Sequence, residues 1–130
     1  MSHFRPERAS RALLMGKRVL LAEDEPMVSL EIEDVLLETG AELIGPFADL
    51  GALMEAAERV RIDAAILDVR LGRADSFPAA DLLARRGVPF VFHSGHVSRE
   101  TIARAYPEAR LVQKPCTPEM LLDTLAARLA

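Results

Sequence analysis

The chain has 130 residues, half of them apolar, with a mean hydropathy of +0.12, which suits one domain with a buried core and argues against disorder. Twenty acidic residues outweigh sixteen basic ones for a net charge of -4, the wrong sign for a protein that binds nucleic acid by neutralising phosphates. One cysteine, Cys116, excludes an internal disulfide framework and a cysteine metal cluster, and no apolar run approaches the ~20 residues that span a bilayer.

Residues 1–16 read as a flexible, Arg-bearing tail without a period, and the folded domain as 17–130. Residues 18–22 are a continuous apolar run that stops at three acids; unbroken hydrophobicity suits a strand covered on both faces. Residues 26–39 predict a helix, with Pro26 in its first turn and Gly40 just past its end. A short strand over 41–45 is closed by Pro46, and Leu50, Leu53, Met54, Ala57 and Val60 then share one helical face. Residues 63–69 repeat the buried-strand pattern and carry Asp68. A helix over 76–86 precedes a strand over 89–94, rich in aromatic and β-branched residues. A weaker helix over 98–106, a strand over 110–113 and an amphipathic helix over 118–129 complete the series. Met27, Met54 and Met120 read as core fillers at helical spacing. Five βα units in strict alternation predict a single doubly wound α/β domain: a five-stranded parallel sheet with five helices on its two faces.

Ligands of such sheets bind beyond the carboxyl ends of the strands. This sequence places Glu23, Asp24 and Glu25 after the first strand, Asp68 after the third, Ser94 and Gly95 after the fourth, and Lys114-Pro115 after the fifth. Carboxylates converging in one crevice repel each other unless a cation joins them, and oxygen-only ligands suit a hard divalent ion such as Mg²⁺. Lys114 adds a point charge and Ser94 a hydroxyl, which completes a cradle for a transferred phosphoryl group. Lys114 is conspicuous because fourteen of the sixteen basic residues are Arg.

These residues carry a resemblance. From about Lys17 onward the chain resembles a response-regulator receiver domain of two-component signalling. Val19-Leu20-Leu21-Ala22-Glu23-Asp24-Glu25-Pro26 is similar to that family's first strand and acidic pair. Ala65-Ile66-Leu67-Asp68-Val69-Arg70-Leu71-Gly72 is similar to its phosphoacceptor strand and loop, and Gln113-Lys114-Pro115 to its Lys-Pro signature. The resemblance implies a flavodoxin-like strand order 2-1-3-4-5. It implies that Asp68 accepts a phosphoryl group from a histidine kinase or histidine phosphotransfer protein. It further implies Mg²⁺ held by Asp24, Asp68 and the Arg70 backbone carbonyl, with Glu23 assisting through water, while Lys114 pairs with the phosphoryl oxygens and Ser94 moves toward them.

Two features depart from the commonest members. Leu111 stands three residues before Lys114, where the family often has an aromatic switch. The run Pro89-Phe90-Val91-Phe92-His93-Ser94-Gly95-His96 is similar to a stand-alone subclass reading Pro-Phe-x-Phe-Ala-Thr-Gly-Tyr. By family analogy Arg70 and His96 lie beside the phosphorylation site and tune access of water. His93 reads as structural and Cys116 as an inert small residue.

Simpler readings stand beside these. Glu23, Asp24 and Glu25 in front of a helix are also a capping pattern. A haloacid-dehalogenase-type phosphatase also places a nucleophilic Asp after an apolar strand, but it needs a second Asp two residues on, where this chain has Arg70. No Gly-x-Gly-x-x-Gly follows the first strand, so a dinucleotide role lacks support. The remaining alternative is a degenerate receiver acting as a phosphorylation-independent binding module. With the last helix ending near Ala130, the expectation is a single-domain, bacterial, cytoplasmic regulator with no enzymatic activity on outside substrates. It would act through an unknown downstream protein, or a second copy, on a face that includes Arg99, Arg104, Tyr106, Arg110 and Leu111. Neither nucleic acid nor membrane is an expected partner.

Overall fold

A computed structural model describes residues 11–95, 97 and 99–130. Strands β1 (Arg18–Ala22), β2 (Glu42–Phe47), β3 (Ala64–Asp68), β4 (Phe90–Ser94) and β5 (Arg110–Gln113) form one parallel sheet in the order β2-β1-β3-β4-β5. Helices α1 (Pro26–Glu38), α2 (Leu50–Arg59), α3 (Phe77–Arg85), α4 (Arg99–Ala105) and α5 (Pro118–Ala127) follow the strands in turn. The doubly wound α/β reading and its strand order are therefore observed.

Alternate residues along each strand serve opposite faces. Val19, Leu21, Ala64, Ile66 and Val91 pack with Ile32 and Leu36 of α1 and Leu121, Leu122 and Leu125 of α5. Leu20, Ala22, Ala65, Leu67, Phe90 and Phe92 pack with Leu53 of α2, Leu83 of α3 and Ile102 of α4. Each such buried Leu, Ile or Phe contributes about 1.5–3 kcal/mol. Because the inner strands are covered on both sides, their sequences are continuous apolar runs rather than alternating ones. Asp49 caps α2 by accepting from the Ala52 amide at 2.9 Å, and Thr117 caps α5 by accepting from the Met120 amide at 3.1 Å.

Several expectations change. Strand β2 does not stop at Pro46 but runs on to Phe47, which pairs with Ala22 across a register shift. It is the edge strand, where a missing amide costs no ladder bond. Gly45 makes the shift possible: its φ is +111°, and a Cβ there would meet the Leu21 carbonyl oxygen at 2.8 Å. After β3 the chain makes a two-residue antiparallel ladder, Arg70–Leu71 with Ala74–Asp75, turning at Gly72 with φ +61°.

The packed chain also begins before Lys17. Residues Ala12–Leu14 form a 3₁₀ turn, Leu14 is fully buried between α1 and α5, and Arg11 pairs with Asp123 at 2.8 Å. Residues 1–10 lie outside the described residues. Met27 and Met120 are not core fillers: they are 73% and 55% exposed, whereas Met54 packs partly against the core. No helix among the described residues is long and apolar enough to cross a membrane.

Candidate functional site

The period-2 rule that buries Leu21, Ile66 and Val91 carries one rung further, to Glu23, Asp68 and His93. Ala22 pairs with Leu67 and Asp68 with His93, so these three polar residues sit side by side at the carboxyl end of the sheet. All are buried, at 3%, 5% and 4% exposure. Lys114, just past β5, reaches them with Nζ 3.0 Å from Asp68 Oδ2 and 3.3 Å from both Glu23 Oε1 and Glu25 Oε1. The Lys114–Pro115 peptide is cis. The Arg70 amide donates to Asp68 Oδ1 at 3.3 Å, and the Gly72 amide donates to Asp24 Oδ2 at 2.6 Å, so the small ladder after β3 forms one wall of the cleft. Ser94 forms another: its Oγ accepts from the Val97 amide at 3.3 Å, and its carbonyl accepts from the Lys114 amide at 2.9 Å.

The electrostatics are uneven. Burial, and then the neighbouring Glu23, push the Asp68 carboxyl up to about 7 although Lys114 pulls the other way. Burial also works against the charge on Glu23. His93, Asp68, Lys114 and the Glu25 amide outweigh it and hold Glu23 at about 2. Burial likewise opposes the Lys114 charge, but Asp68, Glu23 and Glu25 raise its pKa above the usual lysine value. One ammonium thus serves three carboxylates. Glu23, Asp24, Glu25 and Asp68 can each offer an oxygen within 4.8 Å of the others, and Glu23 Oε1 is buried without a hydrogen bond. An all-oxygen donor set with surplus negative charge fits a hard divalent cation. Glu25 occupies the cap position of α1 but makes no side-chain capping bond, while Glu23 Oε2 accepts from the Glu25 amide at 3.2 Å.

The profile of the response regulator receiver domain matches residues 19–126. The chain belongs to that family. A curated relative, the transcriptional regulatory protein PdtaR of Mycobacterium tuberculosis (strain CDC 1551 / Oshkosh), is 33% identical over 90 residues. The match takes in 68% of this receiver but 44% of PdtaR, so the chain spans less than half of that relative's length. Among solved structures, SdrG from Sphingomonas melonis Fr1 is 34% identical, with a TM-score of 0.74 over 88% of this chain and 98% of SdrG. A response regulator receiver protein from Sinorhizobium medicae WSM419 is 24% identical, with a TM-score of 0.79 over 88% of this chain and 94% of that one. At that identity the second likeness speaks for the fold.

In this receiver the structure brings together Glu23, Asp24, Asp68 and Lys114, with Arg70 and Ser94 lining the same cleft. His96 lies outside the described residues. Of the expected output face, Arg99, Arg104 and Arg110 are exposed, but Leu111 is withdrawn into the core. Tyr106 is half-buried and stacks on Phe77 at 5.7 Å between centroids. His93, expected to be structural, and Cys116, expected to be inert, are in contact, with Cys116 Sγ 3.2 Å from His93 Nε2. The signal was available in the strand parity: His93 follows Val91 by two residues, which puts it on the face of Asp68 rather than that of Phe92.

Proposed function

We propose that this receiver takes a phosphoryl group on Asp68 from a phosphohistidine of a histidine kinase or phosphotransfer protein, and signals the change through protein contacts. The observation that carries the reading is Lys114 Nζ at 3.0 Å from Asp68 Oδ2, within a cluster of four carboxylates. Asp24, Asp68 and the Arg70 carbonyl would hold Mg²⁺, with Glu23 acting through water; the bound ion would neutralise charge on the phosphoryl oxygens. An Asp68 carboxylate oxygen forms the new bond to phosphorus as the phosphorus–nitrogen bond of the donor imidazole breaks. The leaving nitrogen keeps that electron pair and later takes a proton. Lys114 is placed to follow the charge from Asp68 onto the transferred group. Ser94, at the opposite wall, supplies a hydroxyl that turns toward the same oxygens. This work is positioning and charge neutralisation on the chain's own side chain, with no outside substrate transformed.

The run from Pro89 to Gly95 supports placing this receiver with the subclass whose corresponding strand reads Pro-Phe-x-Phe-Ala-Thr-Gly-Tyr, and with Leu111 buried its switch would rely on the loop after β4. Exposed Met27 and Leu30 on α1 and Met120 on α5, two helices packed against each other, offer apolar contacts for the phosphodonor. Exposed Arg99, Arg104 and Arg110 offer a separate basic face to a downstream protein or a second copy. We place the protein in the bacterial cytoplasm, where such kinases act.

Intact-protein mass spectrometry after incubation with Mg²⁺ and acetyl phosphate tests the reading. One added phosphoryl group is expected, absent without Mg²⁺ and absent in Asp68→Asn. An unlabelled wild type that also fails to bind beryllofluoride would leave the phosphorylation-independent binding module as the better account. Labelling retained in Asp68→Asn would move the acceptor elsewhere.

A further inference from the structure

His93 is the one member of the buried polar rung to which the receiver reading gives no task. Its ring is held between two side chains from different parts of the chain, with Nε2 3.2 Å from Cys116 Sγ and Nδ1 3.7 Å from Glu23 Oε1. His93 Nδ1 and Glu23 Oε1 are both buried and both lack a hydrogen bond. Buried polar atoms without a hydrogen bond are costly, and these two suit each other as donor and acceptor once the gap closes. Glu23 also adjoins the Asp68 carboxyl, and its Oε1 lies 3.3 Å from Lys114 Nζ, which is shared with Asp68 and Glu25. Glu23 Oε2 is already held by the Glu25 amide at 3.2 Å. His93 is therefore the donor to Oε1 that no other carboxylate of the pocket competes for.

We propose that His93 is a positioning residue for the acidic pocket: its Nδ1–H serves Glu23 Oε1, and the Cys116 thiol, donating to Nε2, fixes that tautomer. Burial raises the Cys116 pKa, which keeps the thiol proton available to donate. The assignment rests on the reading of Glu23, Asp24 and Asp68 as a Mg²⁺ site, where groups behind a ligand set its orientation and affinity.

The test is Mg²⁺ affinity measured by titration calorimetry on the full chain, with unfolding in EDTA as the fold control. His93→Phe keeps a ring but no donor and is expected to weaken Mg²⁺ binding about tenfold. His93→Asn keeps an N–H near the position of Nδ1 and is expected to recover most of that loss. Cys116→Ala is expected to weaken binding by a smaller factor, with Cys116→Ser restoring it. This pair carries the test if His93→Phe does not fold. Imidazole ¹⁵N shifts are expected to show the Nδ1–H tautomer. Wild-type affinity in a folded His93→Phe overturns the assignment, as does equal weakening by Phe and Asn, or an Nε2–H tautomer. A wild-type chain that binds no Mg²⁺ overturns the metal reading itself and this assignment with it, whereas normal wild-type binding with indifferent variants overturns this assignment alone.

Discussion

Strand β4 has a different kind of interior on each of its faces. Toward α3 and α4, Phe90 and Phe92 meet Phe77 and Tyr106 with ring centroids 5.2 to 6.0 Å apart, mostly edge to face. The polar atom of this cluster is satisfied, since the Tyr106 hydroxyl donates to Asp81 Oδ1 at 2.6 Å with the Phe77 carbonyl 3.3 Å away. Toward α1 and α5, His93 adjoins Glu23 and Asp68, and there His93 Nδ1 and Glu23 Oε1 lack a hydrogen bond while three carboxyl groups share the Lys114 ammonium. The first face is complete once the chain has folded. The second gathers four carboxyl groups around one ammonium, and on the proposed reading a bound ion or phosphoryl group would balance that charge. Local destabilisation of this sort is what a binding pocket carries when it must favour its occupied form.

That contrast breaks most visibly at Phe92. Phe92→Ala removes a fully buried ring from the centre of the aromatic cluster and is expected to cost about 3–5 kcal/mol, read from the urea midpoint. A cost below about 1 kcal/mol would mean that this face is loosely packed after all.

Asp68→Asn tests the other face and has the opposite sign. The folded chain prefers protonated Asp68, with a pKa of about 7 against the usual 3.8. The stability contributed by this group is therefore full below about pH 4 and is lost as pH rises through 7. Metal-free Asp68→Asn is expected to be more stable than wild type at pH 8 by roughly 1–3 kcal/mol, and no more stable near pH 4. Saturating Mg²⁺ is expected to raise the wild-type Tm and to shrink the gap. Glu23 works in the reverse direction: held at about 2 against 4.5, it stabilises above pH 4.5, and that contribution disappears as pH falls toward 2. Thermal melts across pH in EDTA check both signs, and a Tm for Asp68→Asn below wild type at pH 8 would refute the picture of a strained pocket.

The smallest expected effect is that of Tyr106→Phe. The hydroxyl bond to Asp81 is lost, but Asp81 is exposed and water replaces the donor, so a cost of about 1 kcal/mol is expected in chemical denaturation. Mg²⁺ affinity should not move. A Mg²⁺ effect as large as that expected for His93→Phe would show that the two faces of β4 are coupled rather than separate.

Much of this was legible in the residues. Unbroken runs such as Val19-Leu20-Leu21-Ala22 and Ala65-Ile66-Leu67 announce strands covered on both faces, and the alternation with helical patterns announces a parallel sheet. Glu23, Asp68, Ser94 and Lys114 are legible as neighbours because the carboxyl end of a parallel sheet is where chain direction alone delivers them. Less could be read where neighbours decide. Pro46 looks like a strand stop, and only the edge position of β2 lets the strand pass through it. Met27 and Met120 have helical spacing, yet among the described residues no element covers their sides of α1 and α5. Leu14 sits in a segment without a period and is buried because a space between α1 and α5 accepts it.

The sequence by itself determined the elements, their order and the chemical inventory of the pocket, because hydrophobic period and strand polarity are local properties of the chain. Tertiary structure decided how that inventory is charged and paired. Glu23, Asp68, His93, Lys114 and Cys116 come from four strands and the loops beyond them, and the balance among them depends on separations near 3 Å that no local pattern encodes. Which of two adjacent carboxyls keeps a proton, and which buried atoms lack a hydrogen bond, follows from those separations at the buried floor of the cleft, where Glu23, Asp68 and His93 sit.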